Sequence, residues 1–345
     1  MRLAARTRWL LLGAVVLMAV LVVAVVLIAR GGDQQPSSSA LPLRPAGEVA
    51  LPGDNSRFDY ASLDAERGLL FVAHLGASEV IEVDVRAHRV VRTIGDLSQV
   101  HGVLVVPALH RVFATATGAN RMVAFDEDTG AVVAQASTGD YPDGLAFDPR
   151  RSAIWTTNET GGSETVIDAA TGAVRGTVAL GGDVGNVVFN ATGDRMLVAV
   201  QGKGDLAVID PSTFAVVRRI VLPDCDHDHG LTLDAAARLA FVACDGNAAL
   251  LTVDLNAGQV TGTAAVGKDP DVLAYDQGAH RLYVAAESGT VTVLALRGRA
   301  MTVTGSGQLA DGAHVVAVDP VSHHSFYPVP AGADGRPALL EEQPA

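Results

Sequence analysis

Short apolar runs alternate along the chain with clusters of Gly, Asp, Asn, Ser and Thr, a pattern that predicts many short strands joined by tight turns rather than long helices. The pattern repeats. A first apolar strand ends at Asp64, Val106, Asp148, Asn190, Asp234, Asp276 and Asp319, at spacings of 42, 42, 42, 44, 42 and 43 residues. Seven to nine residues beyond each marker lies a second strand: Phe71-Val72-Ala73, Phe113-Ala114-Thr115, Trp155-Thr156-Thr157, Leu197-Val198-Ala199, Phe241-Val242-Ala243, Tyr283-Val284-Ala285 and Phe326-Tyr327-Pro328. A third strand follows in most copies, as in Val80 to Asp84 and Leu206 to Asp210, and turns such as Asp128-Thr129-Gly130 lead into a fourth. Four strands per period of about 40 residues predicts a blade of a β-propeller, and seven copies predict an all-β, seven-bladed ring.

The seventh copy ends after its third strand, Pro337-Ala338-Leu339-Leu340, and residues 47 to 52 (Gly-Glu-Val-Ala-Leu-Pro) stand alone before the first inner strand. Pairing the two would supply the missing outer strand and close the ring, leaving only short edges. The other reading makes 47 to 52 the end of a tether. The expected organisation is therefore residues 1 to 30 as a cytoplasmic stub and membrane anchor, 31 to 46 as a flexible linker, 47 to 341 as the propeller and 342 to 345 as a tail.

Two stretches carry a family resemblance. Tyr141-Pro142-Asp143-Gly144-Leu145-Ala146-Phe147-Asp148-Pro149 and Leu282-Tyr283-Val284-Ala285 resemble the YVTN-type repeat of bacterial extracytoplasmic propellers, over residues 47 to 341. The resemblance implies a seven-bladed ring, often exported, with binding, adhesion or cell-envelope roles. Some members of that family bind DNA, an activity that the charge of this chain argues against.

The N-terminus accords with export. Arg2, Arg6 and Arg8 precede an uncharged stretch from Trp9 to Ala29, 21 residues long, which is enough for one helix to cross a bilayer. It is longer than the usual apolar region of a cleaved signal and ends Leu27-Ile28-Ala29-Arg30, so it reads as an uncleaved signal anchor. More Arg before it than after it sets the N-terminus in the cytoplasm and the remainder outside. No Cys lies near residue 30 to carry a lipid. The formal charge is −13; four of the 25 Lys and Arg fall in the first 30 residues, which hold no acid, so the rest carries 21 basic against 38 acidic residues, or −17. Such a surface repels nucleic acid.

Candidate chemistry concentrates where the inner strands begin. Five residues before each marker lie Asp59, His101, Asp143, Gly185, His229, Asp271 and His314. Equivalent positions on successive blades converge on the axis, so three imidazoles and three carboxylates would face one another, the ligand types of zinc, copper, manganese and non-haem iron. One divalent ion fits that number of His. The competing reading has the same side chains bonded to backbone and locking blade to blade. Gly185 breaks the ring and suggests an opening. Blade 5 is longer by two residues, in Pro223-Asp224-Cys225-Asp226-His227-Asp228-His229-Gly230, where His227 is an extra candidate ligand. Asp224, Asp226 and Asp228 have calcium-loop spacing, but the Gly and the final acid fall out of place. Cys225 and Cys244 should lie on one face of adjacent strands and form a disulfide in an oxidising compartment; thiolate metal ligation is the alternative.

Other chemistries lack their residues. There is no Gly-x-Ser-x-Gly elbow, His-Glu-x-x-His pair, Cys-x-x-Cys-His haem site or phosphate loop. Gly202-x-Gly204 lies in a predicted hairpin, and the only Trp residues are Trp9 and Trp155, so no nucleotide, haem or quinone cofactor is expected. Two functions remain: a membrane-anchored extracytoplasmic propeller that binds or scaffolds a protein or envelope component, and a metal-binding protein or metal-dependent enzyme using the His/Asp ring.

Overall fold

The computed structural model describes residues 40–345. The expected signal anchor, and the linker as far as residue 39, lie outside the described residues. Among those described, seven four-stranded antiparallel sheets are present and the only helices are three single 3-10 turns.

Blade 1 comprises Ala61–Asp64, Leu69–His74, Glu79–Asp84 and Arg89–Ile94; blade 2, Val100–Val106, Arg111–Ala116, Arg121–Asp126 and Val132–Ser137; blade 3, Pro142–Asp148, Ala153–Asn158, Ser163–Asp168 and Val174–Ala179. Blade 4 comprises Val187–Asn190, Arg195–Val200, Asp205–Asp210 and Ala215–Val221; blade 5, Asp228–Asp234, Leu239–Cys244, Ala249–Asp254 and Gln259–Ala265; blade 6, Pro270–Asp276, Arg281–Ala286, Thr290–Arg297 and Ala300–Gln308. Blade 7 takes Ala317–Val318, Ser325–Val329 and Ala338–Pro344 from the C-terminus and Leu43–Ala50 from the other end of the chain. The closing ladder runs from Leu43↔Pro344 to Ala50↔Ala338, so the propeller extends from 43 to 344 rather than 47 to 341. The added residues at both ends are each other's hydrogen-bonding partners, which is why neither end is a linker or a tail.

The periodic marker has a local cause. In six blades the side-chain oxygen of Asp64, Asp148, Asn190, Asp234, Asp276 or Asp319 accepts a backbone N–H two or three residues on, holding the turn between first and second strands. Blade 2 has Val106 there and makes the turn with Pro107–Leu109 instead, closed by His110 N–H on the Pro107 carbonyl at 3.0 Å. Apart from Arg111, Arg195 and Arg281 at their starts, the second strands are buried, and each junction between neighbouring blades holds its own apolar cluster. The core is thus seven interfaces around an axis, apolar for the most part, with isolated buried polar side chains such as Glu82 and Glu164 inside the blades.

Candidate binding site at the channel mouth

Inner strands enter the axis through an irregularity. In blades 2, 3, 5 and 6 the register with the second strand shifts around His101, Asp143, His229 and Asp271, and a bulge of this kind re-aims the side chain it carries. The residue after it is Gly in three of these blades because the next blade comes close: a Cβ on Gly102 or Gly230 would collide with the carbonyl oxygen of Asp143 or Asp271. Gly185 answers to the same constraint, since a Cβ there would lie 2.6 Å from the His229 carbonyl oxygen. It marks close packing of blade 5 on blade 4, not an opening.

The side chains so placed line an axial cavity of about 410 Å³. Asp59, His101, Asp143, His229 and Asp271 border it, with His227 on its wall; His314 is buried behind it. His314 presents Nδ1 to the Gly312 carbonyl and Nε2 to the Phe58 carbonyl, both at 3.0 Å, and so ties blade 7 to the loop before blade 1. His101 sets Nδ1 on the Gln99 carbonyl at 2.9 Å and Nε2 on the Tyr141 hydroxyl at 3.1 Å, with Asp59 at 3.9 Å. His229 Nε2 lies 3.4 Å from Asp271 Oδ1, and its Nδ1 is 2.6 Å from the Gln201 amide. His227 is half-exposed and pairs through Nδ1 with Asp245 at 2.9 Å.

The electrostatics are those of crowded acids. Burial, then the charges of Asp143 and Asp271, push the Asp59 carboxyl well above the usual range. Burial and Asp143 raise Glu159 to about 7. Asp271 is held low: burial opposes its charge, but the hydrogen bond and charge of His229, then His314 and Arg57, outweigh it. On His229 burial likewise opposes the charged form, and the hydrogen bond and charge of Asp271 with Asp143 and Glu159 carry it up to about 10. With the Gln201 amide turned so that its oxygen faces Nδ1, the imidazolium donates on both sides, and the buried Gln201 oxygen gains the partner it lacks.

Several site residues escaped the sequence reading. Tyr60, next to Asp59, crosses the mouth to lie 2.8 Å from Asn186 Oδ1 and 3.1 Å from Asp143 Oδ2. Arg57 sits among the carboxylates, 3.6 Å from both Asp59 and Asp271 and bonded to Glu287. Eleven residues after each marker a second ring occurs: Leu75, Thr117, Glu159, Gln201, Asp245, Glu287 and Pro330. Its members Leu75, Glu159, Asp245 and Glu287 line the cavity and Gln201 holds His229. The 42-residue period would have revealed it. Among the described residues, the grouping with the geometry for a metal ion is Asp271, Glu287 and His314, whose ligand atoms lie within 4.8 Å of one another. The Arg57 guanidinium already bridges two of these acids. Cys225 and Cys244 are joined, Cα to Cα 5.3 Å, which pins the inserted loop beside Asp245.

No protein-family model matches the sequence, and no curated protein does. Among solved structures the chain is similar to hydrazine synthase of Kuenenia stuttgartiensis (13% identity, TM-score 0.70, covering 86% of this chain and 95% of that one). It is also similar to virginiamycin B lyase from Staphylococcus aureus (12%, 0.72, 86% and 98%) and to the WD40 repeats of RRP9 (13%, 0.72, 87% and 100%). At such identities the likeness establishes the fold, an all-β seven-bladed propeller, and nothing finer.

Proposed function

We propose that this chain is a membrane-anchored, extracytoplasmic binding module that takes its ligand at the channel mouth, the ligand being a protein or envelope component that presents a cationic group. The observation that carries the reading is the make-up of the axial cavity. Seven carboxyl groups line it against a single Arg and three His, so its field favours a positive group on an incoming ligand. The apolar N-terminal stretch, the disulfide and the likeness to WD40 repeats support the placement and the binding role. The test is crosslinking from a photoreactive residue at Tyr141, an exposed side chain on the cavity rim, in the native membrane. A discrete product should form, and be lost in Asp143→Asn/Glu287→Gln. A product indifferent to those substitutions would place binding elsewhere.

A second reading rests on the Asp271, Glu287 and His314 grouping: a single divalent ion at the mouth, with the ring residues Asp59, Asp143, His101 and His229 around it. Such an ion must displace Arg57 from its acids. Elemental analysis of the full chain, beside Glu287→Gln and the His101/His229/His314 triple Ala variant, decides it. Near-stoichiometric metal lost in both variants supports a metal site; no metal after incubation with zinc, copper, manganese and iron rules it out.

A further inference from the structure

A second cavity, of about 270 Å³, opens between blades 4 and 5 at the end of the inner strands away from the mouth. Its wall carries Arg195, Arg218 and Arg238 and no carboxylate, over a floor of Leu197, Val208, Ile220 and Leu255. The guanidiniums are held by neutral acceptors: Arg218 donates to the Ala257 carbonyl at 2.7 Å, Arg238 to Asn256 Oδ1 at 3.1 Å and Arg195 to the Asp194 carbonyl at 2.7 Å. Among the described residues, the one carboxylate within ion-pair reach is Asp210, 3.9 Å from Arg195. Gly258, at φ +67°, lets Arg218 lie across its turn, where a Cβ would collide with the guanidinium.

The repeat supplies an internal control. Arg92 holds in blade 1 the place of Arg218 in blade 4: both follow the bulge of the outer strand, and both donate to a turn carbonyl of the next blade, Arg92 to Asp128 at 2.6 Å. At that junction the arginines are neutralised. Glu82 lies 2.8 Å from Arg92, and Glu127 and Asp128 lie 3.2 and 2.7 Å from Arg67. Counted from the Asp residues that end the third strands, Glu82, Glu127 and Asp128 correspond to Val208, Leu255 and Asn256. Three acids at one junction are two aliphatics and an amide at the other, while the outer-strand arginine is kept, Arg67 gives way to Gly193 and Arg195 and Arg238 are gained, so three arginines replace two in a chain whose formal charge is −13.

We propose that the cavity between blades 4 and 5 binds a small organic anion, a carboxylate or phosphate monoester with a short aliphatic body. The headgroup meets Arg195, Arg218 and Arg238, whose planar donors match its oxygens, and the body lies on Leu197, Ile220 and Leu255. The volume admits a body of only a few carbons.

The test is calorimetric titration of the full chain in a neutral detergent with butyl phosphate, hexanoate, inorganic phosphate and butyltrimethylammonium. One or both organic anions should bind saturably at one per chain, more tightly than inorganic phosphate, and the quaternary amine should not. Arg218→Ala/Arg238→Ala should weaken binding at least tenfold. Val208→Glu and Asn256→Asp, which restore acids found at the junction of blades 1 and 2, should weaken it likewise; Asn256 is exposed, so that variant folds even if Val208→Glu does not. No saturable binding of either anion, or binding unchanged in Arg218→Ala/Arg238→Ala and Asn256→Asp, overturns the site. Equal affinity for inorganic phosphate and butyl phosphate overturns the part given to the apolar floor.

Discussion

His229 is the residue whose protonation the fold alters most usefully for experiment. Its folded-state pKa, about 10, lies above the ordinary value of 6.5, so its imidazolium contributes stability in full below about pH 6.5, and that contribution is lost as pH rises through about 10. Asp59 and Glu159, raised by burial and neighbouring acids, act in the same direction from the ordinary carboxyl range upward. The unfolding free energy from urea titrations should therefore fall as pH rises from about 6.5 to 10, and His229→Asn should lack that limb. A wild-type profile that is flat or rising there would refute the His229–Asp271 ion pair. Glu164 supplies a second case: it is wholly buried in blade 3, both its oxygens lack partners, and burial alone raises its carboxyl. Glu164→Met keeps the volume and removes the unpaired group, for a gain of about 1–3 kcal/mol. Because the raised carboxyl loses stability as pH climbs past its unfolded value, the gain should widen from about pH 4.5 upward, which urea midpoints at acid and neutral pH will show.

At the scale of strands and turns, the sequence was legible wherever a local rule acts once per repeat. The Asp markers are visible because each must accept a backbone N–H at the same turn, and the second strands because all are buried on both faces. The ring of Asp59, His101, Asp143, His229 and Asp271 was legible for the same reason. Its chemistry was legible only in part: Gln201 and Glu287 belong to the second ring, which the same period marks, whereas Arg57 comes from the loop before blade 1 and Tyr60 from one blade alone. Nor does a one-residue periodicity reveal that the Gly beside the ring residue is set by the neighbouring blade. Gly230→Ala should move blade 6 away at the Asp271 carbonyl and cost about 1–3 kcal/mol, read as a lowered melting temperature with loss of the His229 limb of the pH profile. The disulfide acts on the same blade. It closes a loop of 19 residues, for which the chain-entropy estimate is about 3 kcal/mol. Cys225→Ser/Cys244→Ser should lower stability by that order in denaturant titrations, and a loss near zero would mean that the loop is held by Asn247, which bonds both Asp226 N–H and the Asp224 carbonyl.

For the whole molecule the decisive feature is that the two ends of the ring are one sheet. Leu43–Ala50 contributes Val49, and the chain beyond it Leu51, to the apolar cluster between blades 7 and 1, and its ladder covers the edge of Ala338–Pro344. Ala345 N–H donates to the Pro42 carbonyl at 3.0 Å, so the C-terminus already stands beside the start of the closing strand. Joining Ala345 to Pro42 through Asn-Gly, and opening the chain in the exposed loop Gly53 to Ser56, gives a circular permutant in which blade 7 is contiguous and the N-terminal segment is gone. If closure is a matter of strand pairing alone, this permutant should fold to the same ring, with an unfolding free energy within about 1 kcal/mol of the parent, the shorter loop changing closure entropy only slightly. Deletion of residues 1 to 51 should instead expose an edge strand and an open apolar cluster, giving aggregation or non-cooperative melting, and a peptide of residues 40 to 52 added in trans should restore a cooperative transition. A deletion variant that melts as the parent does would show that seven blades hold the ring without the latch, and that the N-terminal strand serves to position the propeller rather than to close it.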